Sequence, residues 1–123
     1  MSLSPGYCRR ADGVFVVYDI SERDSFDELE TRWEEAIFAD CPEESSKILI
    51  GNKCDLVAER EVEYQQGKDF ADCLGMDFIE ISVKENINVD EAFKLLILKM
   101  VERAKNDEQK KISKLLRNRF FLF

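Results

Sequence analysis

Residues 14–20 read Val-Phe-Val-Val-Tyr-Asp-Ile, with apolar side chains at five successive positions instead of every second one. A strand with one wet face alternates, whereas a strand apolar at consecutive positions is written for burial on both faces, the condition of a parallel sheet covered by helices. Parallel neighbours need crossovers long enough to hold a helix, and those crossovers are right-handed. Two further runs suit the same sheet: Ile48-Leu49-Ile50, followed by Gly51, and 76–82, which contains Phe78-Ile79-Glu80-Ile81. The pattern predicts an α/β fold of three parallel strands in sequential order with helices on both faces. Crossovers that run one way across a sheet lie on one face, so helices at 25–40 and 62–74 are expected to share a face, with the helix from residue 89 on the other.

Local signals define these helices. Ser25-Phe26-Asp27-Glu28 has the form of a capping box, which predicts a helix start at Ser25 whose hydroxyl accepts from the Glu28 N–H. Phe26, Leu29, Trp33 and Ile37 then make an inward stripe, Trp33 reads as core, and Pro42 stops the helix. In 62–74, Phe70, Ala71 and Leu74 are expected inward, with Gly75 as the terminator. Gly67 inside that helix costs about 1 kcal/mol against Ala, and the residues around it give no reason for it. The last helix is predicted over 88–118, with Val89, Phe93, Leu96, Ile97, Met100, Val101 and Ala104 as a wide apolar face.

The loops after the second and third strands carry the chemistry. Gly51 is expected to turn the backbone, which puts Asn52, Lys53 and Asp55 at a strand's carboxyl edge, where open α/β sheets bind ligands. A carboxylate only accepts hydrogen bonds, so Asp55 can take the parallel N1–H and N2–H donors of guanine, an edge that adenine lacks. Asn52 can both donate and accept, and the long stem of Lys53 can lie over a base. Alone, four such residues also describe a solvated Asn/Asp turn.

Asn52-Lys53-Cys54-Asp55 resembles the base-reading motif of small GTPases, and Ser82-Val83-Lys84 resembles their second base-reading loop. The likeness to the Rab/Ras branch extends over 11–20, Ser25-Phe26, Trp33, Gly67, Phe70-Ala71 and Glu91-Ala92-Phe93. The resemblance implies a partial small-GTPase fold, the carboxyl half, with Asn52, Lys53, Asp55, Ser82, Val83 and Lys84 as guanine-binding residues. It implies GTP or GDP as a weakly held ligand, a vesicle-trafficking role and trafficking effectors as partners. Val83 stands where the family usually has Ala; the position is expected to act through its backbone N–H toward guanine O6, so the added methyls test the fit.

A phosphate loop of the form Gly-x-x-x-x-Gly-Lys-Ser/Thr is missing from the sequence, which leaves the phosphates and Mg²⁺ without their usual ligands, so no catalytic or metal-binding residue is expected. Asp72-Cys73-Leu74-Gly75 has the spacing of the family's metal motif but follows the Asn52 loop, the wrong order. The expected organisation is a leader at 1–6, a Rab-like half-domain at 7–106 whose Tyr7-to-Asp12 start resembles the tail of the second switch, and a basic amphipathic helical tail at 107–123. The alternative is an interaction module that needs no nucleotide and pairs with itself or with Rab partners.

Charge narrows the partners. The net charge of −8 argues against a nucleic-acid surface, since phosphate backbones select basic faces. Residues 105–123 carry six Lys/Arg against two Asp/Glu, a charge of +4 that leaves −12 on 1–104. Ile112, Leu115, Leu116 and Phe120 extend an apolar stripe through this basic end, which suits an anionic membrane, a partner's groove, or a helix packed in an oligomer. Cys8, Cys41, Cys54 and Cys73 show no C-x-x-C spacing and histidine is absent, so reduced thiols in a cytoplasmic protein are expected, peripheral on membranes at most. No apolar run approaches 18 residues, and no C-a-a-X prenylation motif ends the sequence. The apolar first strand would have one open edge, a route to homo-oligomers.

Overall fold

The computed structural model describes residues 12–33 and 44–120, with side chains over 12–32 and 44–114. The leader, the switch-tail segment before Asp12, the side chains of Trp33 and Ile37, the Pro42 stop and the apolar tail side chains beyond Lys114 lie outside the described residues.

The elements are β1 (Gly13–Asp19), α1 (Arg23–Trp33), β2 (Ser46–Asn52), α2 (Tyr64–Cys73), β3 (Asp77–Glu80) and α3 (Val89–Phe120), with a 3₁₀ turn at Val57–Glu59. The strands form one parallel sheet in the order β1-β2-β3, with Val16 beside Leu49 and Ile50 beside Ile79. On one face Val16, Tyr18, Ile20 and Leu49 pack with Phe26 and Leu29 of α1 and Ala71 of α2; on the other, Ile48, Ile50 and Ile81 pack with Ala92 and Leu96 of α3. Both crossover helices therefore share a face, as the strand order requires. Phe26 and Leu29 are each 1% exposed, a burial that stabilises by about 1.5–3 kcal/mol per side chain.

The structure corrects two local expectations, at Ser25 and at Gly51. Helix α1 begins at Arg23, which puts Ser25 inside its first turn and not at its start. Its hydroxyl instead accepts from the Asp19 N–H at 3.0 Å and lies 3.1 Å from the Asp19 carbonyl and 2.7 Å from that of Glu22. Strand and helix are so close that the backbone leaving β1 captures the cap. A reciprocal contact of the expected kind occurs at α2, where Gln66 Oε1 accepts from the Glu63 N–H at 3.1 Å.

Gly51 lies inside β2 and makes no turn; the turn falls at Lys53, whose φ is 66°. A Cβ on Gly51 would stand 3.0 Å from the Tyr18 hydroxyl oxygen, and one on Gly67 would stand 2.6 Å from the Phe78 ring and closer still to that hydroxyl. Both glycines make room for Tyr18, which explains a helical Gly that local sequence leaves unexplained. Gly75, with φ at 68°, does terminate α2.

On α3 the covered face is narrower than the apolar pattern. Ala92 and Leu96 are buried, whereas Phe93, Ile97 and Val101 are 54%, 56% and 45% exposed and Ala104 is also exposed. Among the described residues the three-stranded sheet ends at β1, short of the outer part of that face. The open side of β1 shows the same shortfall, with Val17 at 42% exposure. Beyond the sheet α3 runs on, and every described side chain from Val101 to Lys114 is exposed.

Candidate functional site

The carboxyl ends of all three strands meet at one edge of the sheet. Asp19 is paired in register with Asn52, and the Ile20 N–H donates to the Asn52 carbonyl at 3.0 Å. The Ile81 N–H donates to the Gly51 carbonyl at 2.8 Å, and the Cys54 N–H to the Ile81 carbonyl at 3.0 Å. Parallel pairing therefore draws the two loops marked by the sequence into contact.

Asn52 is the last residue of β2. Its Oδ1 accepts from the Lys53 N–H at 2.8 Å and, across 31 residues of chain, from the Val83 N–H at 3.4 Å. Asp55 Oδ1 accepts from the Ser82 hydroxyl at 2.6 Å. Ser82 is fully buried, and its oxygen also accepts from the Glu85 N–H at 3.1 Å. With its hydroxyl committed to Asp55 and Glu85, Ser82 orients a neighbour and presents nothing to solvent. Among the described residues Asp55 Oδ2 makes no hydrogen bond or ion pair, so one carboxylate oxygen stays available to two-donor ligands. The Val83 side chain is 64% exposed, which directs its methyls away from the packed interior, and Lys84 is exposed.

Two groups absent from the sequence expectation complete the edge. Lys53 Nζ lies 2.8 Å from Asp19 Oδ2, while Asp19 Oδ1 accepts from the Ser21 N–H at 2.9 Å and the Ser21 hydroxyl at 2.6 Å. Burial pushes the Asp19 carboxyl up, but Lys53 and Ser21 together outweigh it and hold the group below its ordinary value; Asp19 in turn raises the Lys53 amine. Asn88 Nδ2 donates to the Glu80 carbonyl at 3.0 Å, bracing the loop that carries Ser82. Asn86 and Asn88 both adopt positive φ, which Asn tolerates better than most residues. Asp19 could have been found from an acid at the end of a strand whose parallel neighbour ends in Asn52-Lys53. Asn88 gave no comparable signal.

Behind the edge, Arg60 forks onto Glu80 at 2.7 and 2.8 Å and donates to the Val62 carbonyl at 2.8 Å, which ties the segment after Asp55 to β3. Burial, reinforced by the Glu80 and Asp55 carboxylates, pushes the Cys54 thiol up, the opposite of an activated nucleophile. Among the described residues no three Cys, Asp or Glu side chains converge as a metal site would need, and no helix is long and apolar enough to cross a membrane. What the two loops bring together is a carboxylate held by Ser82 and a carboxamide held to the Val83 backbone N–H.

A family model described as the Ras family matches residues 1–102. The chain is 38% identical over 112 residues to GTP-binding protein ypt2 of Schizosaccharomyces pombe, covering 91% of this chain and 55% of that protein. It is 36% identical over 106 residues to ypt1 of the same yeast, covering 86% and 52%, and 41% identical over 97 residues to mouse Ras-related protein Rab-12, covering 78% and 40%. The chain thus spans about half the length of these relatives. With a family match across nearly all of the sheet and its helices, the chain belongs to the Ras family of small GTPases.

Proposed function

We propose that this chain is the guanine-recognising half of a Rab-like GTP-binding switch, with Asn52, Lys53, Asp55, Ser82, Val83 and Lys84 as its base site. The observation that supports this most is the 2.6 Å Ser82–Asp55 bond, which holds one carboxylate oxygen and leaves the other able to accept. Asp55 then reads N1–H and N2–H of guanine, and Ser82 keeps its carboxylate turned to the ligand. The Val83 N–H, held to Asn52 at a long 3.4 Å, is the donor for guanine O6. The stems of Lys53 and Lys84 shield the base faces.

The sequence contains no Gly-x-x-x-x-Gly-Lys-Ser/Thr loop, so its own residues bind and orient a base without cradling phosphates, and no hydrolytic step is assigned to them. Mg²⁺, where a nucleotide brings it, finds no carboxylate cluster among the described residues. A vesicle-trafficking role with effectors, in the cytoplasm and peripherally on membranes, is the setting this reading takes from the resemblance to the Rab branch.

Asp55→Asn tests the reading. It replaces an acceptor with a donor, so guanine loses its match and xanthine, with a carbonyl in place of N2–H₂, gains one. Preference in a nucleoside titration should invert toward xanthosine; an unchanged guanine preference would remove Asp55 from the base site.

A second reading, an interaction module independent of nucleotide, is favoured by the open edge of β1 together with exposed Phe93, Ile97 and Val101 on α3. It predicts concentration-dependent association by sedimentation with no response to guanine nucleotide. A chain that remains monomeric at all concentrations would exclude its self-pairing form.

A further inference from the structure

We propose that Asp19 is a positioning residue for this base site, a clamp that fixes Lys53 before any ligand arrives; the inference rests on reading the two loops as a guanine site. Lys53 is the one residue of the Asn52–Asp55 loop with a left-handed backbone, φ 66°, which costs a non-glycine residue of order 1 kcal/mol and persists only where surroundings impose it. Three contacts impose it here. Asn52 Oδ1 holds the Lys53 N–H at 2.8 Å, the next residue is tied by its N–H to the Ile81 carbonyl just after β3 at 3.0 Å, and the ammonium is drawn back to Asp19 at 2.8 Å.

The first two contacts fix the backbone of the loop, and the third fixes the direction of the side chain. With Nζ held at the end of β1, the charge sits at the root of the loop and the methylene stem, half exposed, is what remains to face a ligand. A freely rotating lysine would have to be ordered on binding, at a loss of rotamer freedom that the clamp has already incurred in folding. Asp19 is suited to this because it is itself immobilised. Its carboxylate accepts two bonds from Ser21, its N–H donates to Ser25 Oγ at 3.0 Å, and its side chain is 14% exposed against 50% for Lys53. The half-buried acid is the anchor, and the more exposed lysine is the side chain it fixes.

The test uses Asp19→Asn, which keeps an Oδ1 acceptor for Ser21 and loses the charge, Lys53→Met, which keeps an unbranched stem and loses the ammonium, and the double variant. GMP affinity is measured by NMR titration with AMP as control, and the Lys53 side-chain amine is titrated in the same samples. Asp19→Asn should weaken GMP about two- to fivefold, the range of an exposed ion pair, and lower the Lys53 amine toward its ordinary value. In the Lys53→Met background it should add nothing. A loss of equal size in that background would mean that Asp19 supports the fold in general, and unchanged GMP binding with an unchanged Lys53 amine would remove the clamp; either result overturns the proposal. Failure of the parent chain to bind GMP would instead overturn the guanine reading itself, a result recognised before any variant is compared.

Discussion

Replacing Tyr18 by Phe deletes one oxygen that the structure marks as costly. The Tyr18 side chain is 2% exposed, and its hydroxyl has no hydrogen-bond partner among the described residues. A buried hydroxyl without a partner forfeits about 1–3 kcal/mol of desolvation, so Tyr18→Phe should raise stability by about 1 kcal/mol, or about 4 °C in Tm for a chain of this size. Gly67→Ala probes the same atom from the other side. Helix propensity alone would favour Ala by about 1 kcal/mol, but overpacking costs about 1–3 kcal/mol. The new methyl would collide with the Tyr18 hydroxyl and stand 2.6–2.7 Å from the Phe78 ring, which places the cost at the upper end and makes Gly67→Ala a net loss. In the Tyr18→Phe background that loss should shrink by about 1 kcal/mol, a coupling of the size contacting residues show. Urea unfolding of the four chains measures all of this. A Tyr18→Phe chain less stable by 1 kcal/mol or more would mean that the hydroxyl is satisfied, and an undiminished Gly67→Ala loss in its background would mean that the ring, not the hydroxyl, excludes the methyl.

Other consequences are open to direct measurement. Arg60 and Glu80 side chains are 19% and 12% exposed in their forked pair, so Glu80→Gln or Arg60→Met should each cost about 2–4 kcal/mol, and the double variant much less than their sum, in the same urea assay. The Asp19 carboxyl is held below its ordinary value in the fold, so its contribution to stability is complete above the unfolded-state value near 3.8 and is lost as pH falls through the lower folded value. Acid titration of Asp19→Asn by circular dichroism should accordingly lack that part of the parent's acid-induced loss. With β1 uncovered, the purified chain should associate as concentration rises, read by sedimentation velocity; a monomer at all concentrations would mean that other residues cover the edge.

The strands were legible because burial on both faces leaves consecutive apolar residues, a signal that needs no knowledge of partners. The sheet order followed from it, as did the sharing of one face by α1 and α2. What stayed hidden was decided by contacts between elements. Ser25 has the spacing of a cap, yet the end of β1 two turns of chain away offers its hydroxyl better partners. Gly51 reads as a turn and Gly67 as an unexplained cost until Tyr18 is placed between them. The apolar face of α3 was legible as a pattern, but how much of it is covered was not, because periodicity reports what a helix could cover and not how many strands lie beneath it. At the site, residue types and loop positions were legible. The Ser82–Asp55 bond and the Asp19 clamp were not, since both join residues far apart in sequence.

Titration of the parent chain with GTP, GDP, guanosine and ATP, followed residue by residue through amide NMR shifts, tests the central claim most directly. Base contacts without a phosphate cradle should give about −4 to −6 kcal/mol, a Kd of roughly 0.1–1 mM, nearly equal for the three guanine ligands, with shifts centred on Asn52–Asp55 and Ser82–Lys84 and little response to ATP. Equal shifts with ATP, or shifts away from these two loops, would contradict guanine recognition there, and micromolar Mg²⁺-dependent GTP binding would contradict its confinement to the base.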